Sequence, residues 1–320
     1  MRGVFSAITS RLVIAVPYVW LLFFFLVPFV IVFKISLSDL AIAMPPYTPA
    51  LDGLRDLLAR LGEFDLENYH LLMCDLLGYI GVGADFCQSG FSSDFFDRPY
   101  LSVAYISSLK IAAVSTFLTL LVGYPVAYAM ARAPQSMRPT LLMLVILPFW
   151  TSFLIRVYAW IGILKPEGLL NQLLINIGLI NEPLVIMNTN TAVYIGIVYS
   201  YLPFMVLPLY SALEKLDHSL IEAAQDLGCR PLSAFWKITF PLSLPGVVAG
   251  CLLVFIPAVG EFVIPDLLGG SRTLMIGKTL WSEFFNNRDW PLSSAVAIIL
   301  LLILVVPIVL FQRAQARAQE

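Results

Sequence analysis

Six stretches of this chain run for 17 or more residues without an Asp, Glu, Lys or Arg: Leu12 to Phe33, Ile111 to Ala131, Pro139 to Ile155, Pro183 to Leu213, Ile238 to Gly260 and Trp290 to Gln312. A helix needs roughly 20 apolar residues to cross the ~30 Å hydrocarbon layer, so each stretch can hold one span. The run from Pro183 is long for a single crossing, and Pro183, Asn188 and Asn190 assign its first residues to a loop. The 320 residues are 59% hydrophobic and 12% charged, against about 25% charged in an ordinary soluble domain. The reading is an all-α integral membrane protein of six transmembrane helices.

Charge placement sets the expected topology. With the amino terminus inside, the short inner segments hold Arg2, Arg11, Arg132, Arg138, Arg313 and Arg317 against one acid, Glu320, which obeys the positive-inside rule. The expected layout is a cytoplasmic N-terminus 1–11, a first span 12–36, an outer segment 37–100, a five-helix core 101–312 with an inner hairpin 214–245, and a cytoplasmic C-terminus 313–320. The outer segment has ten acids against Arg55, Arg60 and Arg98, and acids count little against translocation. Arg2, Arg11 and the small residues of Ala41-Ile42-Ala43 mimic a signal peptide. The 22 uncharged residues exceed the 7 to 15 of a signal core, so the first run reads as a retained span.

Met44-Pro45-Pro46-Tyr47-Thr48-Pro49 ends any helix leaving the first span. Apolar residues at 51, 54, 57, 58 and 61 predict a short amphipathic helix, and Gly78, Gly81, Gly83 and Gly90 predict loop beyond it. The acids of this segment are either a solvated loop or a surface that concentrates cations or docks a partner. Cys74 and Cys87 both fall outside, where a disulfide is permitted. The 12 residues between them allow closure without demanding it, and the pairing stays open. His70 and His218 are the two histidines and neither adjoins a CxxC pair, so no metal site is expected. Farther on, Lys165-Pro166-Glu167-Gly168 breaks a helix, and Leu169 to Leu179 reads as an amphipathic segment along the interface, with Asn171, Gln172 and Asn176 among its leucines and isoleucines.

Glu214 to Pro245 is the most polar stretch expected inside, and it is patterned. Asp217 or Ser219 offers an N-cap for a helix containing Glu222, Ala223 and Ala224. Gly228 suits the left-handed position that ends a helix, and Pro231 suits the first turn of the next. Leu232, Phe235, Trp236 and Ile238 give that second helix an apolar face, and Pro241 and Pro245 are expected to end it before the fifth span. The product is a helical hairpin projecting from the membrane.

At these residues the chain resembles the inner-membrane permease subunits of ATP-binding-cassette importers. Their signature is Glu-Ala-Ala, three residues, Gly, nine residues, Ile-x-Leu-Pro. Glu222-Ala223-Ala224, Gly228 and Ile238-Thr239-Phe240-Pro241 match it at those spacings, with Phe240 in place of Leu. Pro148 to Trp160, Phe255 to Pro265 and Phe284 to Pro291 look like the polyamine branch, the putrescine or spermidine permeases. The outer insertion, roughly Leu51 to Asp97, has no match. The resemblance implies a type I importer permease fold in a bacterial inner membrane, and a role as half of a translocation pathway. It implies ATPase coupling through Glu222, Ala223, Ala224, Gly228, Arg230, Pro231, Ile238 and Pro241. The implied partners are a second homologous permease, two ATPase subunits, a periplasmic polyamine-binding protein and the lipid bilayer, with no nucleic acid. No cofactor is expected on this chain; ATP and Mg belong to the partner ATPase. Gly277-Lys278-Thr279 looks like the end of a phosphate loop, but Arg272 stands where its first glycine belongs.

Ionisable groups within a membrane are costly and mark function by default. Lys110, Arg156 and Glu261 fall in the outer half of their spans. Two readings of Glu261 stay open. In one, Glu261 with Asp266 lines the pathway and attracts a cationic amine, while Trp150, Tyr158 or Trp160 offers a ring face. In the other, Glu261 and Arg156 form a structural ion pair. The competing function, a self-sufficient secondary transporter or channel for organic cations, needs no coupling hairpin. An intramembrane enzyme has no support, since there is no HExxH and no Gly-x-Ser-x-Gly.

Overall fold

The computed structural model describes residues 15–49, 64–81, 100–217, 219–271 and 273–319. Among these the chain forms helices α1 (Ala15–Ser36), α2 (Glu67–Ile80), α3 (Tyr100–Arg132), α4 (Arg138–Ile146, prolonged by a 3-10 turn Leu147–Trp150), α5 (Phe153–Leu164), α6 (Leu169–Asn176), α7 (Asn190–Glu214), α8 (Ser219–Asp226), α9 (Pro231–Val259), α10 (Val263–Leu268), α11 (Ile276–Trp281) and α12 (Trp290–Gln319). One antiparallel pair, β1 (Asp39–Leu40) and β2 (Tyr47–Thr48), sets Asp39 opposite Thr48 and Leu40 opposite Tyr47. The chain divides into two compact units, Met1–Ser102 with Leu280–Glu320, and Val103–Thr279.

Helices α1, α3, α7 and α9 are each long and apolar enough to cross a membrane, and α12 carries a further apolar stretch, Trp290–Val306. The third uncharged run departs from a straight span. Arg138–Trp150 and Phe153–Asn176 meet at an 89° bend, the geometry of a broken span or a re-entrant loop. Thr151 and Ser152 take extended backbone there, and Thr151 turns both its N–H and its hydroxyl to the Pro148 carbonyl at 3.3 and 2.7 Å. Six crossings are compatible with this set.

In the first unit α1 and α2 pack against α12. Asn68 donates its amide to the Ser36 and Ser38 carbonyls at 3.2 and 2.9 Å, and Ser36 Oγ meets Tyr69 Oη at 2.7 Å, tying α2 to the end of α1. Gly78, expected in a loop, lies inside α2. The helix persists because Leu72, Cys74 and Asp75 bury one face of it, and it ends at Gly81 with φ 76°. The amphipathic helix expected near 51–61 lies outside the described residues. Cys74 is disulfide-bonded, and Cys229 and Cys251 are free thiols; Cys87 lies outside the described residues.

The second unit is centred on α7 against α9. Its core gathers Tyr124, Ala127, Met130 and Ala131 of α3, Met205, Val206, Leu209, Tyr210 and Leu213 of α7, and Val247 and Val254 of α9. Gly246 and Gly250, one turn apart, let the two backbones close together. A Cβ on Gly246 would stand 2.6 Å from the Ala212 Cβ, and one on Gly250 2.8 Å from the Met205 sulfur. Asn171, expected on a polar face, instead points inward. Its side chain is buried, donates to the Lys165, Pro166 and Leu184 carbonyls and accepts the Leu184 N–H at 2.9 Å, pinning α6 to the loop that follows it.

Candidate coupling hairpin and the buried carboxylate

The polar stretch after α7 folds as the expected hairpin. The Asp217 carboxylate accepts the Ser219 N–H at 2.9 Å and starts α8. Glu222 stands exposed in its first turn, where a negative charge suits the helix dipole. The helix closes with a Schellman motif. The Gly228 N–H reaches the Gln225 carbonyl at 2.8 Å, the Cys229 N–H reaches that of Ala224 at 2.9 Å, and Gly228 sits at φ 81°. Arg230 is extended and stands at the N-cap position of the next helix, whose first residue is Pro231.

Pro241 and Pro245 do not end that second helix. Pro231–Val259 is continuous, with a π-helical turn at Phe235–Thr239 immediately before Pro241. A widened turn relieves the clash between a proline ring and the carbonyl four residues back. The same device precedes Pro28 in α1, at Leu22–Leu26. The second arm of the hairpin and the fifth span are therefore one rod, and Ile238 lies within its π turn.

The hairpin end of the rod is held by rings. Phe235 packs edge-on against Tyr124 and Tyr128 at 5.6 and 5.8 Å, and Phe240 lies 5.2 Å from Trp236 and 6.0 Å from Tyr124. Phe240, the one departure from the signature, fills this aromatic cluster. Tyr124 Oη meets Ser243 Oγ at 2.9 Å beneath it. Ile221 of α8 lines a narrow cleft with Tyr128, Ala131, Arg132, Leu213, Leu216 and Thr239. Four apolar side chains of the hairpin are exposed: Leu227 at 88% and Trp236 at 58%, with Leu220 and Leu232. Along the chain they flank Glu222 and the Gly228 turn.

Glu261, just beyond α9, is 8% exposed. Oε1 accepts the N–H groups of Phe262, Val263 and Ile264 at 3.2, 3.0 and 3.4 Å, capping α10, and Oε2 accepts the Tyr201 hydroxyl at 2.5 Å. Arg156 makes no ion pair with it. Its guanidinium lies over the Phe149 and Phe153 rings at 5.1 and 5.7 Å, and its buried Nε has no hydrogen-bond partner. Asp266 pairs with Lys278 at 3.2 Å. Trp160 meets Tyr199 edge-on at 5.3 Å, while Trp150 and Tyr158 are exposed. The structure thus brings neither Arg156 nor any of these rings onto the Glu261 carboxylate.

Sequence reasoning missed Tyr201, Ser243 and Asp75. The Gly246-Val247-Val248-Ala249-Gly250 run was a readable signal for close helix packing. Nothing local marks Tyr201, which lies 60 residues from the carboxylate it holds. In the first unit Asp39, Asp65 and Glu67 converge with oxygens within 4.8 Å, all exposed. Partial burial and the Asp65 charge hold the Asp39 carboxyl above its ordinary range.

Comparison with known proteins fits this architecture. Residues 2–319 match the family model of the binding-protein-dependent transport system inner membrane component. The chain belongs to that family, whose members are transport components of the inner membrane. It is 38% identical, over 95% of its length and 93% of the relative's, to the spermidine/putrescine transport system permease protein PotB of Haemophilus influenzae. With the protein of the same name from Escherichia coli it shares 44% identity over 72% of this chain and 85% of the relative. A bacterial ABC transporter involved in the import of the acidic polysaccharide alginate has the same fold, with a TM-score of 0.60, 17% identity and 99% of both chains covered.

Proposed function

We propose that this chain is the membrane-spanning permease subunit of an ATP-driven polyamine importer, carrying putrescine or spermidine and forming half of the translocation pathway. The observation that carries the reading is the 38% identity along 95% of the chain to a spermidine/putrescine permease. The hairpin supports it independently. Its first arm is capped at both ends, its second arm is continuous with the fifth span, and Leu220 and Leu227 on either side of Glu222 in the chain are exposed.

In this reading an ATPase subunit grips the hairpin through Leu227, Leu232 and Trp236. ATP and Mg bind to that subunit, and this chain binds neither. A second homologous permease completes the pathway, and a second ATPase lies beneath it. A periplasmic binding protein delivers the amine; a transporter of the same fold, TM-score 0.50 and 19% identity, is described in complex with its substrate-bound periplasmic protein. Both termini face the cytoplasm, as the arginines of the inner segments favour.

Labelled putrescine and spermidine, offered to proteoliposomes holding this chain with or without the other four components, test the proposal. Uptake confined to the complete set with ATP is expected. Concentrative uptake by this chain alone, without nucleotide, assigns it instead to the secondary transporters.

A further inference from the structure

We infer that Glu261 and Tyr201 form a clamp that joins the middle of the hairpin's first leg to the far end of its second, so that the fourth span, the fifth span and α10 travel together when the hairpin moves. The inference rests on the permease reading above and assigns Glu261 a positioning role rather than contact with the amine.

A buried carboxylate must be satisfied by donors or by a counter-charge. Glu261 takes four donors on its two oxygens, three backbone N–H groups and the Tyr201 hydroxyl, and no cationic side chain of the described residues pairs with it. Of the roughly four lone-pair sites of a carboxylate, Oε2 keeps one beside the Tyr201 hydroxyl, and with the side chain only 8% exposed it is the protein's own donors that engage Glu261. The surroundings fix the same corner from other sides. Gly196 of α7 leaves room for Ile264 and Leu268 of α10, where a Cβ would stand 2.8 Å from each. The Asn188 N–H reaches the Leu268 carbonyl at 2.9 Å. The returning chain closes over the break after α9: a Cβ on Gly277 would stand 2.4 Å from the Gly260 carbonyl oxygen, and the Ile276 N–H donates to Ser108 Oγ at 2.7 Å.

The two legs leave the hairpin as α7, ending at Glu214, and α9, starting at Pro231. Nearer the hairpin they are locked by Gly246 against Ala212 and Gly250 against Met205. Tyr201 lies about 20 Å along α7 from Glu214, at a rise of about 1.5 Å per residue. Without the clamp the Gly246 and Gly250 contacts still carry both legs and the Gly196 and Asn188 contacts still hold α10, but the end of α9 loses its polar tie to α7. The stroke is then passed less tightly from α7 to the end of α9.

The test uses the complete transporter, with binding protein and ATPase, in proteoliposomes. Tyr201→Phe removes one hydroxyl and keeps the ring beside Phe204, 6.0 Å away. The clamp predicts stimulated ATP hydrolysis within about twofold of wild type and a fall of about tenfold in amine moved per ATP, the scale of one lost hydrogen bond to a charged group. Glu261→Gln should lower the same ratio and leave the amine concentration for half-maximal uptake unchanged. A shift of that concentration in Glu261→Gln, with the ratio intact in Tyr201→Phe, overturns the inference in favour of amine contact. Failure of both variants to assemble overturns it in favour of a folding role. Absence of ATP-dependent uptake in wild type counts against the permease reading, not the clamp.

Discussion

The carboxylate of Asp75, buried on α2, accepts the backbone N–H of Ser102 at 2.6 Å and that of Leu101 at 3.4 Å. A residue of the outer insertion thereby caps α3, whose first N–H groups have no partner within the helix. Asp75→Ala should cost about 1–3 kcal/mol, a lost cap together with buried donors left unpaired. Thermal melting in detergent measures the loss, and faster hydrogen exchange at Leu101 and Ser102 locates it. Unchanged exchange there contradicts the cap.

Two glycines separate steric from conformational demands. At Gly246 an added methyl meets Ala212 and the Pro208 carbonyl at 2.6 and 2.9 Å, whereas at Gly228 it meets nothing within 4 Å and only the positive φ of 81° resists it. Gly246→Ala should destabilise by about 1–3 kcal/mol through overpacking, and Gly228→Ala by roughly 1–2 kcal/mol through the left-handed backbone. An unchanged melting temperature in Gly246→Ala contradicts the close packing, and one in Gly228→Ala contradicts the left-handed turn.

Asn171 joins α6 to the loop at Leu184 through four backbone groups. Asn171→Leu keeps the volume and strands those groups, at an expected cost of about 2–4 kcal/mol. A melting temperature equal to wild type shows that the amide is dispensable.

Leu227 and Leu232 are largely exposed in this chain. Replacing either by Ser should leave stability within about 0.5 kcal/mol, as at other exposed positions. ATPase affinity, measured by surface plasmon resonance on detergent-solubilised subunits, should fall by roughly tenfold or more, the usual effect of removing a buried interface anchor. Wild-type affinity in both variants means the ATPase docks elsewhere.

What the sequence made legible followed short-range rules. The uncharged runs located the spans because a bilayer tolerates few charges. Asp217, Gly228 and Pro231 located the turns of the hairpin because each residue type suits one backbone conformation. The misreadings have one cause, which is tertiary context overriding a local signal. Pro241 reads as a helix stop, yet a π turn absorbs it; Gly78 reads as loop, yet burial of Leu72 and Cys74 keeps α2 helical. Glu261 was recognisable as an intramembrane charge, but its partner could not be guessed. Arg156 was the obvious counter-ion, and the structure supplies a tyrosine hydroxyl and a helix end instead.

The central claim is that the hairpin transmits a partner's ATP-driven stroke to the spans. Gly228→Pro tests it most directly, because proline at φ near −65° cannot adopt the 81° observed and lacks the N–H that reaches Gln225. In proteoliposomes of the whole complex, checked for intact assembly, ATP hydrolysis stimulated by the loaded binding protein and polyamine uptake should both be lost. Uptake and hydrolysis at wild-type rates in that variant would contradict the account.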